Sequence, residues 1–488
     1  MSRTGADYRQ SLDDGRAVYL YGKRVDRVNG HPAFRNAINS VANLYDFQSR
    51  PENLESMTFV SPGSGDRVSR MWQLPKTHVE LVERRQALVA AAETHFGFMG
   101  RSPDHVASTI AGFYMGKDVY EQHGAARVGA ICDYYQYARD RDLYLSYVII
   151  DPQGDRSKST SGEGNADLTV SVVDEDSEGI TIKGAKMLGT GAVISDEILV
   201  STLRPMKEGE EKWAFTGMLP INAKGLKLLS RRSYENEAGS TFDYPLASRF
   251  DENDSLLYFD EVKIPWDRVF VNGNVKTQFA QWHETPAHSY QNYQAEIRLM
   301  VKLRFLVGLA RRIAETTASI NFPQVVEKLG ELSSQLQVIE AFVIAMEAKG
   351  WQYNDYYLPD RELLYASQVQ SQSLYPKILQ TLRDLAGGGM IMLPSSVEDF
   401  ADPEIASLIG RSQYSPTTDS VGRVKLFKLA WDAVGSEFGS RHHQYEMFYS
   451  GPKVVTTGMA YRTFDWDRAT DLVDRCLDGI EAPKLAGE

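Results

Sequence analysis

Hydrophobic periodicity changes twice along this 488-residue chain, and those two changes limit the folds open to it. Up to about residue 140 the pattern is mostly helical. Residues 77–92 carry apolar side chains at helical spacing behind Thr77, a residue type that caps helix N-termini. Ser102-Pro103 predicts another helix with Pro103 at its first position, where a missing N–H costs nothing. From about 141 to 275 the apolar residues fall instead in short or alternating runs separated by Gly, Asp and Asn. Residues 145–150, 167–174, 213–220 and 255–260 read as strands, expected to pair antiparallel in a compact β domain. Beyond about 285 helical spacing returns, and amphipathic segments at 294–318 and 323–349 with short breaks predict an antiparallel bundle. The expected organisation is α–β–α, over residues 1–140, 141–275 and 276–488, in line with the two or three packed domains that this length suggests.

The same chain excludes several chemistries. A net charge of −12 argues against a nucleic-acid partner, which needs a basic face. Cys132 and Cys476 are too few for a disulfide framework or for a cysteine cluster holding zinc or iron–sulfur, and fit a reducing cytoplasm. No run of about eighteen apolar residues predicts a membrane span, and the N-terminus lacks the apolar core of a signal peptide. No metal site is expected, because no His-Glu-x-x-His occurs and the adjacent His442 and His443 point in different directions on a helix. A Gly-x-Ser-x-Gly elbow and a phosphate loop are both missing, and Ala386-Gly-Gly-Gly-Met390 lacks the strand–turn–helix context of a dinucleotide fingerprint and reads as a loop. An enzyme-like chain with 25 Tyr and 20 Phe but no group suited to hard redox chemistry favours a borrowed organic cofactor.

Two polar segments stand out as candidate site elements. Asp151-Pro-Gln-Gly-Asp-Arg-Ser-Lys158 follows the apolar run at 145–150, and Lys186-Met-Leu-Gly-Thr-Gly191 follows a strand–turn pattern at 179–184. Both place amide, hydroxyl and guanidinium groups at strand ends, where rigid backbone can aim them at a flat polar ligand. Strands do not need these residues, and Gly and Pro weaken them. Residues 205–212 are charged and read as an exposed hairpin loop, with a mobile cover over a nearby site as the alternative.

Ordered blocks over nearly the whole length carry a family resemblance. They include Thr4-Gly-Ala-Asp-Tyr8, His31-Pro-Ala-Phe-Arg35, Gly100-Arg-Ser-Pro-Asp-His105, Asp151-Pro-Gln-Gly-Asp-Arg156, residues 186–196 and 259–270, Asn292-Tyr-Gln294 with Arg298, Ser436-Glu-Phe-Gly-Ser-Arg-His442, Tyr445 and Phe448-Tyr-Ser-Gly451. The chain resembles the oxygenase component of two-component, flavin-dependent 4-hydroxyphenylacetate 3-monooxygenases and their halophenol-oxidising relatives. The resemblance implies an α+β, acyl-CoA-dehydrogenase-like fold: an N-terminal helical domain, a central antiparallel β-barrel and a C-terminal four-helix bundle, assembled as a homotetramer. It implies reduced FAD between barrel and bundle, with Gln153, Arg156 and Thr190 on the barrel side and Ser450-Gly451 on the bundle side. An amide and a hydroxyl can address the flavin N5/O4 edge, and Arg pairs with pyrophosphate. Taken singly, Arg156 also reads as a surface ion pair and Thr190 as a turn former.

On the substrate side the resemblance implies Arg101, His105, Tyr147, Ser201, Thr202 and Tyr290, of which Arg101, His105 and Tyr147 are the candidate catalytic residues. A cation at Arg101 would favour the phenolate form of a substrate; capping the preceding helix is its other reading. The family commonly carries Tyr where this chain has His105 and His where it has Tyr147, so the two types are exchanged here, which opens the question of which aromatic substrate is used. His288 or Tyr290 lies where halophenol-oxidising members carry a base. With no nicotinamide fingerprint, the chain is expected to receive FADH2 by diffusion from a separate NAD(P)H:flavin reductase. The implied reaction adds O2 to the reduced flavin to give a C4a-hydroperoxide, which transfers oxygen to a small aromatic substrate in a water-excluding site. Alternatives are a dehydratase of the same fold, which would need cysteine ligands this chain lacks, an acyl-CoA dehydrogenase, or a non-catalytic homologue.

Overall fold

Thr77 caps its helix as its type predicts: its Oγ1 accepts the Glu80 N–H at 3.2 Å, and the helix runs His78–Glu93. The structure, a computed structural model, describes residues 2–152, 154–155, 157 and 168–481. The next long helix spans Asp104–Met115 and starts one residue later than expected, with Pro103 in the cap position rather than in the first turn. Ser102 does not cap it, because its hydroxyl donates to the Asp104 carboxylate at 2.5 Å.

The strands among the described residues are β1 (Val18–Leu20), β2 (Lys23–Val25), β3 (Thr58–Val60), β4 (Arg67–Ser69), β5 (Leu145–Val148), β6 (Ser171–Glu175), β7 (Gly179–Thr190), β8 (Glu197–Val200), β9 (Phe215–Pro220), β10 (Leu226–Ser230), β11 (Asp254–Pro265), β12 (Val269–Asn272), β13 (Trp351–Tyr353) and β14 (Tyr356–Leu358). One sheet has the order β2-β1-β10-β11-β7-β6 and a second has the order β12-β9-β8-β5. The uniformly antiparallel pairing expected from the strand pattern does not form, since β1 runs parallel to β10 and β5 parallel to β8. Neither pair is joined by a hairpin, so no tight turn imposes opposite directions. A single isolated bridge, Ile150 to Met187, links the two ladders, and among the described residues they do not close into one continuous barrel.

The segment at 186–191 is the second half of a strand, not a loop after one. Gly184, at φ +124°, lets β7 continue past the point where its register against β11 shifts; a Cβ there would stand 2.6 Å from the Thr169 carbonyl oxygen. Thr190 therefore ends β7, next to Asp254 at the start of β11.

Four long helices, Ala287–Thr316, Pro323–Ala348, Arg361–Ala386 and Ser420–Val434, pack together as the C-terminal bundle. The first begins at 287, in the region from about 285 read as helical and ahead of the amphipathic segment read at 294–318. Its opening turns bury Gln291, Gln294, Glu296 and Arg298 together with Tyr290, Tyr293 and Ile297 and so show no single apolar stripe. Gln291 and Gln294 look into the seam with the Asp104 helix. Residues 386–390 close a helix and a single 3₁₀ turn. Among the described residues no helix is long and apolar enough to cross a membrane.

Candidate active site

Gly100 and Arg101 occupy the short link ahead of the Asp104 helix, and contacts from the β layer fix their backbone. The Arg101 N–H donates to the Glu252 carboxylate, and its carbonyl accepts from Tyr144 Oη at 2.7 Å. Residue 100 has to be glycine: a Cβ would lie 2.4 Å from the Tyr445 ring. With its backbone so held, the Arg101 guanidinium is surrounded by the rings of Tyr449, Tyr147 and Tyr445, at 4.1, 5.0 and 5.5 Å from their centroids. Its Nη1 lies 2.8 Å from His105 Nε2, one helical turn on. Among the described residues no carboxylate pairs with this guanidinium, so a half-buried cation is held by π faces and a neutral histidine.

His105 sits in the first turn of its helix and is buried. Its Nδ1 is 2.8 Å from Tyr449 Oη and 3.1 Å from Gln294 Oε1. Burial, reinforced by the Arg101 charge, holds the imidazole pKa well below its ordinary value, so the ring is neutral. Tyr147, on β5, faces it with ring centroids 5.3 Å apart. Burial pushes the Tyr147 phenol up, against the pull of Arg101. His105 and Tyr147 thus stand with tilted rings beside the same cation.

A second group lies behind this one. Thr190 Oγ1 donates to Asp254 Oδ1 at 2.5 Å, and Asp254 also takes Arg231 at 2.8 Å and Arg441 at 2.6 Å. Burial would raise the Asp254 carboxyl, but Arg441 and Arg231 hold it far below the carboxylate range. Arg441 Nη1 reaches Glu252 at 3.3 Å, so Thr190 and the Arg101 backbone hang on one ion-pair frame. Tyr445 lies between the two groups, its ring 4.3 Å from the Arg441 guanidinium carbon. Its Oη is buried and finds no hydrogen-bond partner among the described residues.

Comparison with known proteins decides the family. Sequence models described as 4-hydroxyphenylacetate 3-hydroxylase N terminal and C terminal match residues 4–271 and 279–478. The chain belongs to the 4-hydroxyphenylacetate 3-hydroxylase family. It is 35% identical to the 4-hydroxyphenylacetate 3-monooxygenase oxygenase component of Klebsiella oxytoca, over 97% of this chain and 92% of that protein. It is also 35% identical to the 4-nitrophenol 2-monooxygenase oxygenase component of a Rhodococcus species, over 99% and 94%. A solved oxygenase component of 4-hydroxyphenylacetate 3-monooxygenase, complexed with FAD and 4-hydroxyphenylacetate, superposes with a TM-score of 0.92 at 30% identity, covering 98% of each chain.

Within this 4-hydroxyphenylacetate 3-hydroxylase family member, the structure gathers Arg101, His105 and Tyr147 into one group and sets the other predicted residues around or away from it. Ser201 and Thr202 continue β8, where Ser201 Oγ meets Thr216 Oγ1 at 2.7 Å and Thr202 Oγ1 accepts from Lys186 Nζ at 3.1 Å. Lys186 is in turn fixed by Asp151 at 2.6 Å. The Ser450-Gly451 turn follows the Glu437–Phe448 helix, and the Gly451 carbonyl accepts from Gln372 Nε2 at 2.8 Å. Tyr290 points elsewhere: its Oη donates to the Gln73 carbonyl at 2.9 Å and Arg84 lies over its ring. His288 is engaged with Tyr365 Oη at 3.0 Å. Gln153 and Arg156 lie outside the described residues. Gln294, Tyr449, Tyr445 and Glu252 complete the group and were not singled out as site residues. The signal for Gln294 was a polar run in the opening turns of a helix.

Proposed function

We propose that this chain is the FADH2-utilising oxygenase component of a two-component monooxygenase that hydroxylates a small phenol-type aromatic compound. One observation carries the reading: Arg101 is a half-buried guanidinium that pairs with no carboxylate among the described residues, ringed by aromatic faces and a neutral histidine. Such a cation lacks only an anionic partner, and a phenolate oxygen fits it, because opposite charge favours the ionised phenol. The family match makes the flavin monooxygenase reading specific.

The residues present fit reduced FAD. Thr190 has committed its hydrogen to Asp254 and can only accept from a ligand, as a flavin N–H requires. The unpartnered Tyr445 Oη marks a second polar position that a ligand atom would satisfy. Ser450-Gly451 would approach from the bundle side, with Gln153 and Arg156 opposite. When bound, reduced FAD supplies the electrons that activate O2, one atom of which goes to the ring. This chain's own residues bind and orient. Arg101 holds the phenolate oxygen, Tyr147 and Tyr449 wall the ring space, and Ser201 and Thr202 border it from β8. The packed core around the site keeps out water. A separate NAD(P)H:flavin reductase provides FADH2 by diffusion. The exposed apolar row on the C-terminal helices supports a homotetramer, and we place the enzyme in the cytoplasm. We read the two linked sheets as the barrel of an acyl-CoA-dehydrogenase-like architecture, between helical regions at 1–140 and 276–488.

The test is a single-turnover experiment. Photoreduced FAD is bound anaerobically, O2 and a phenol are admitted, and products are read by mass over a panel including 4-hydroxyphenylacetate and 4-nitrophenol. Hydroxylated product from at least one phenol is expected; quantitative loss to hydrogen peroxide with every phenol rejects the reading. Arg101→Ala should cut product formation about 100-fold while FADH2 binding is retained.

A further inference from the structure

We propose that Gln294 and Tyr449 are positioning residues that lock His105 in its Nδ1–H tautomer, so that a neutral ring with a bare Nε2 backs the Arg101 guanidinium. The inference rests on the reading of Arg101 as the phenolate site.

The hydrogens can be placed one at a time. Arg101 Nη1 has only hydrogens to offer, and it lies 2.8 Å from His105 Nε2 and 3.4 Å from Nδ1, over the ring rather than along either in-plane lone pair, so it does not itself choose the tautomer. The tautomer is set by what Nδ1 meets: a hydrogen there needs an acceptor. Two are present. Gln294 Nε2 donates to Asp104 Oδ2 at 3.0 Å, which turns the amide oxygen toward His105 at 3.1 Å. Tyr449 donates its hydroxyl hydrogen to the Gly100 carbonyl at 2.7 Å and so presents a lone pair to Nδ1 at 2.8 Å. With the hydrogen on Nδ1 each of these donors meets an acceptor, whereas the other tautomer turns the Nδ1 lone pair on the Gln294 amide oxygen and costs a buried hydrogen bond.

The charged groups around the ring point the same way. Arg101 and Arg298 face it, Tyr147 approaches from β5, Tyr449 from the C-terminal region, and Asp104 lies behind Gln294 on the other side of the amide. An imidazolium would place a third positive charge among the two guanidinium groups. His105 thus serves as a neutral ring against which the cation rests; the amide and the phenol keep that ring turned one way.

The experiment uses the full-length, ligand-free protein labelled with ¹⁵N-histidine, with the His105 signal assigned by its loss in His105→Asn. The wild type should show Nδ1 protonated and Nε2 unprotonated at neutral pH. The double variant Gln294→Leu/Tyr449→Phe should move the hydrogen to Nε2 and lower product formation about tenfold, with KM for the phenol raised and FADH2 binding unchanged. Tyr449→Phe alone keeps the Gln294 acceptor and should retain the Nδ1–H signal. A wild type whose Nε2 carries hydrogen overturns the proposal, as does a double variant that keeps the Nδ1–H tautomer. Because the tautomer is read without turnover, a wild type that makes no product from any phenol rejects the proposed function and leaves this inference to be judged on the nitrogen signals.

Discussion

Thr190 shows how much one hydroxyl can be constrained by its neighbours. Its hydrogen is spoken for by Asp254, which two arginines keep fully ionised. The oxygen therefore offers only lone pairs to a ligand. Thr190→Val removes those lone pairs with little change in shape. Asp254 keeps Arg231 and Arg441, so the expected loss of stability is modest, about 1 kcal/mol. The expected loss in anaerobic FADH2 affinity is about tenfold, measured by titration of photoreduced FAD. Unchanged affinity would remove Thr190 from the flavin side. Gly100 is constrained by space rather than charge, because the Tyr445 ring fills the place of a Cβ. Neither constraint can be read from a local pattern, since Asp254 and Tyr445 stand 64 and more than 300 residues away from their partners. Only the residue types were visible in advance: a hydroxyl at a strand end, and a glycine before an arginine.

The helix Ala287–Thr316 carries most of the site's support from the bundle side. Gln291, Gln294, Arg298 and Lys302 recur on one face at spacings of three and four, and each is buried. Arg298 grips Glu446 through both nitrogens, and Lys302 meets the same carboxylate at 2.9 Å and His442 Nδ1 at 3.0 Å. Burial alone would raise the Glu446 carboxyl, but Arg298 and Lys302 overcome it and hold the pKa at about 2, below its ordinary 4.5. A carboxyl depressed by folding adds stability that is present above the unfolded value and lost as pH falls through the folded one. Wild-type stability in urea should therefore decline between pH about 4.5 and about 2, and Glu446→Gln should flatten that decline. At pH 7 the same variant should cost about 3–5 kcal/mol, because it strands two buried cations. A variant as stable as wild type at pH 7 would show that the carboxylate is not the anchor of the row. This face also explains what the sequence pattern left out. Periodicity of apolar residues located the later turns of the helix, the Thr77 cap and most strands, because burial there is apolar. It read helix from about 285 but recognised an amphipathic stripe only from 294, because the opening turns bury polar and apolar side chains all round and leave no stripe. Parallel pairing of β1 with β10 was hidden for a related reason: strand direction is set by connections that local alternation does not encode.

At the scale of the whole molecule, the ordered motifs identified the family because they sample every layer at once, while the proposed substrate site rests on a few side chains around Arg101. The same scale exposes a surface that one chain alone leaves bare. The helix Trp466–Leu477 has no buried residue, yet Trp466, Leu472, Val473 and Leu477 recur on it at helical spacing and Ile480 follows. The preceding helix, Lys453–Thr463, adds Val454 and Tyr461, which are 77% and 65% exposed. An amphipathic helix gains little from an apolar stripe that faces water, and each large apolar side chain covered by another surface would contribute roughly 1.5–3 kcal/mol. Several such residues per chain supply enough to hold copies together, the more so as each is met by its symmetry mate. If this row lies in the interface of the proposed homotetramer, Leu472→Glu with Leu477→Glu will lower the mass seen by light scattering, because two buried charges per copy cannot be desolvated there. The circular dichroism of the variant should match wild type, since neither side chain contributes to the core of its own chain. A variant with the wild-type mass would place the assembly contacts on another face of the bundle.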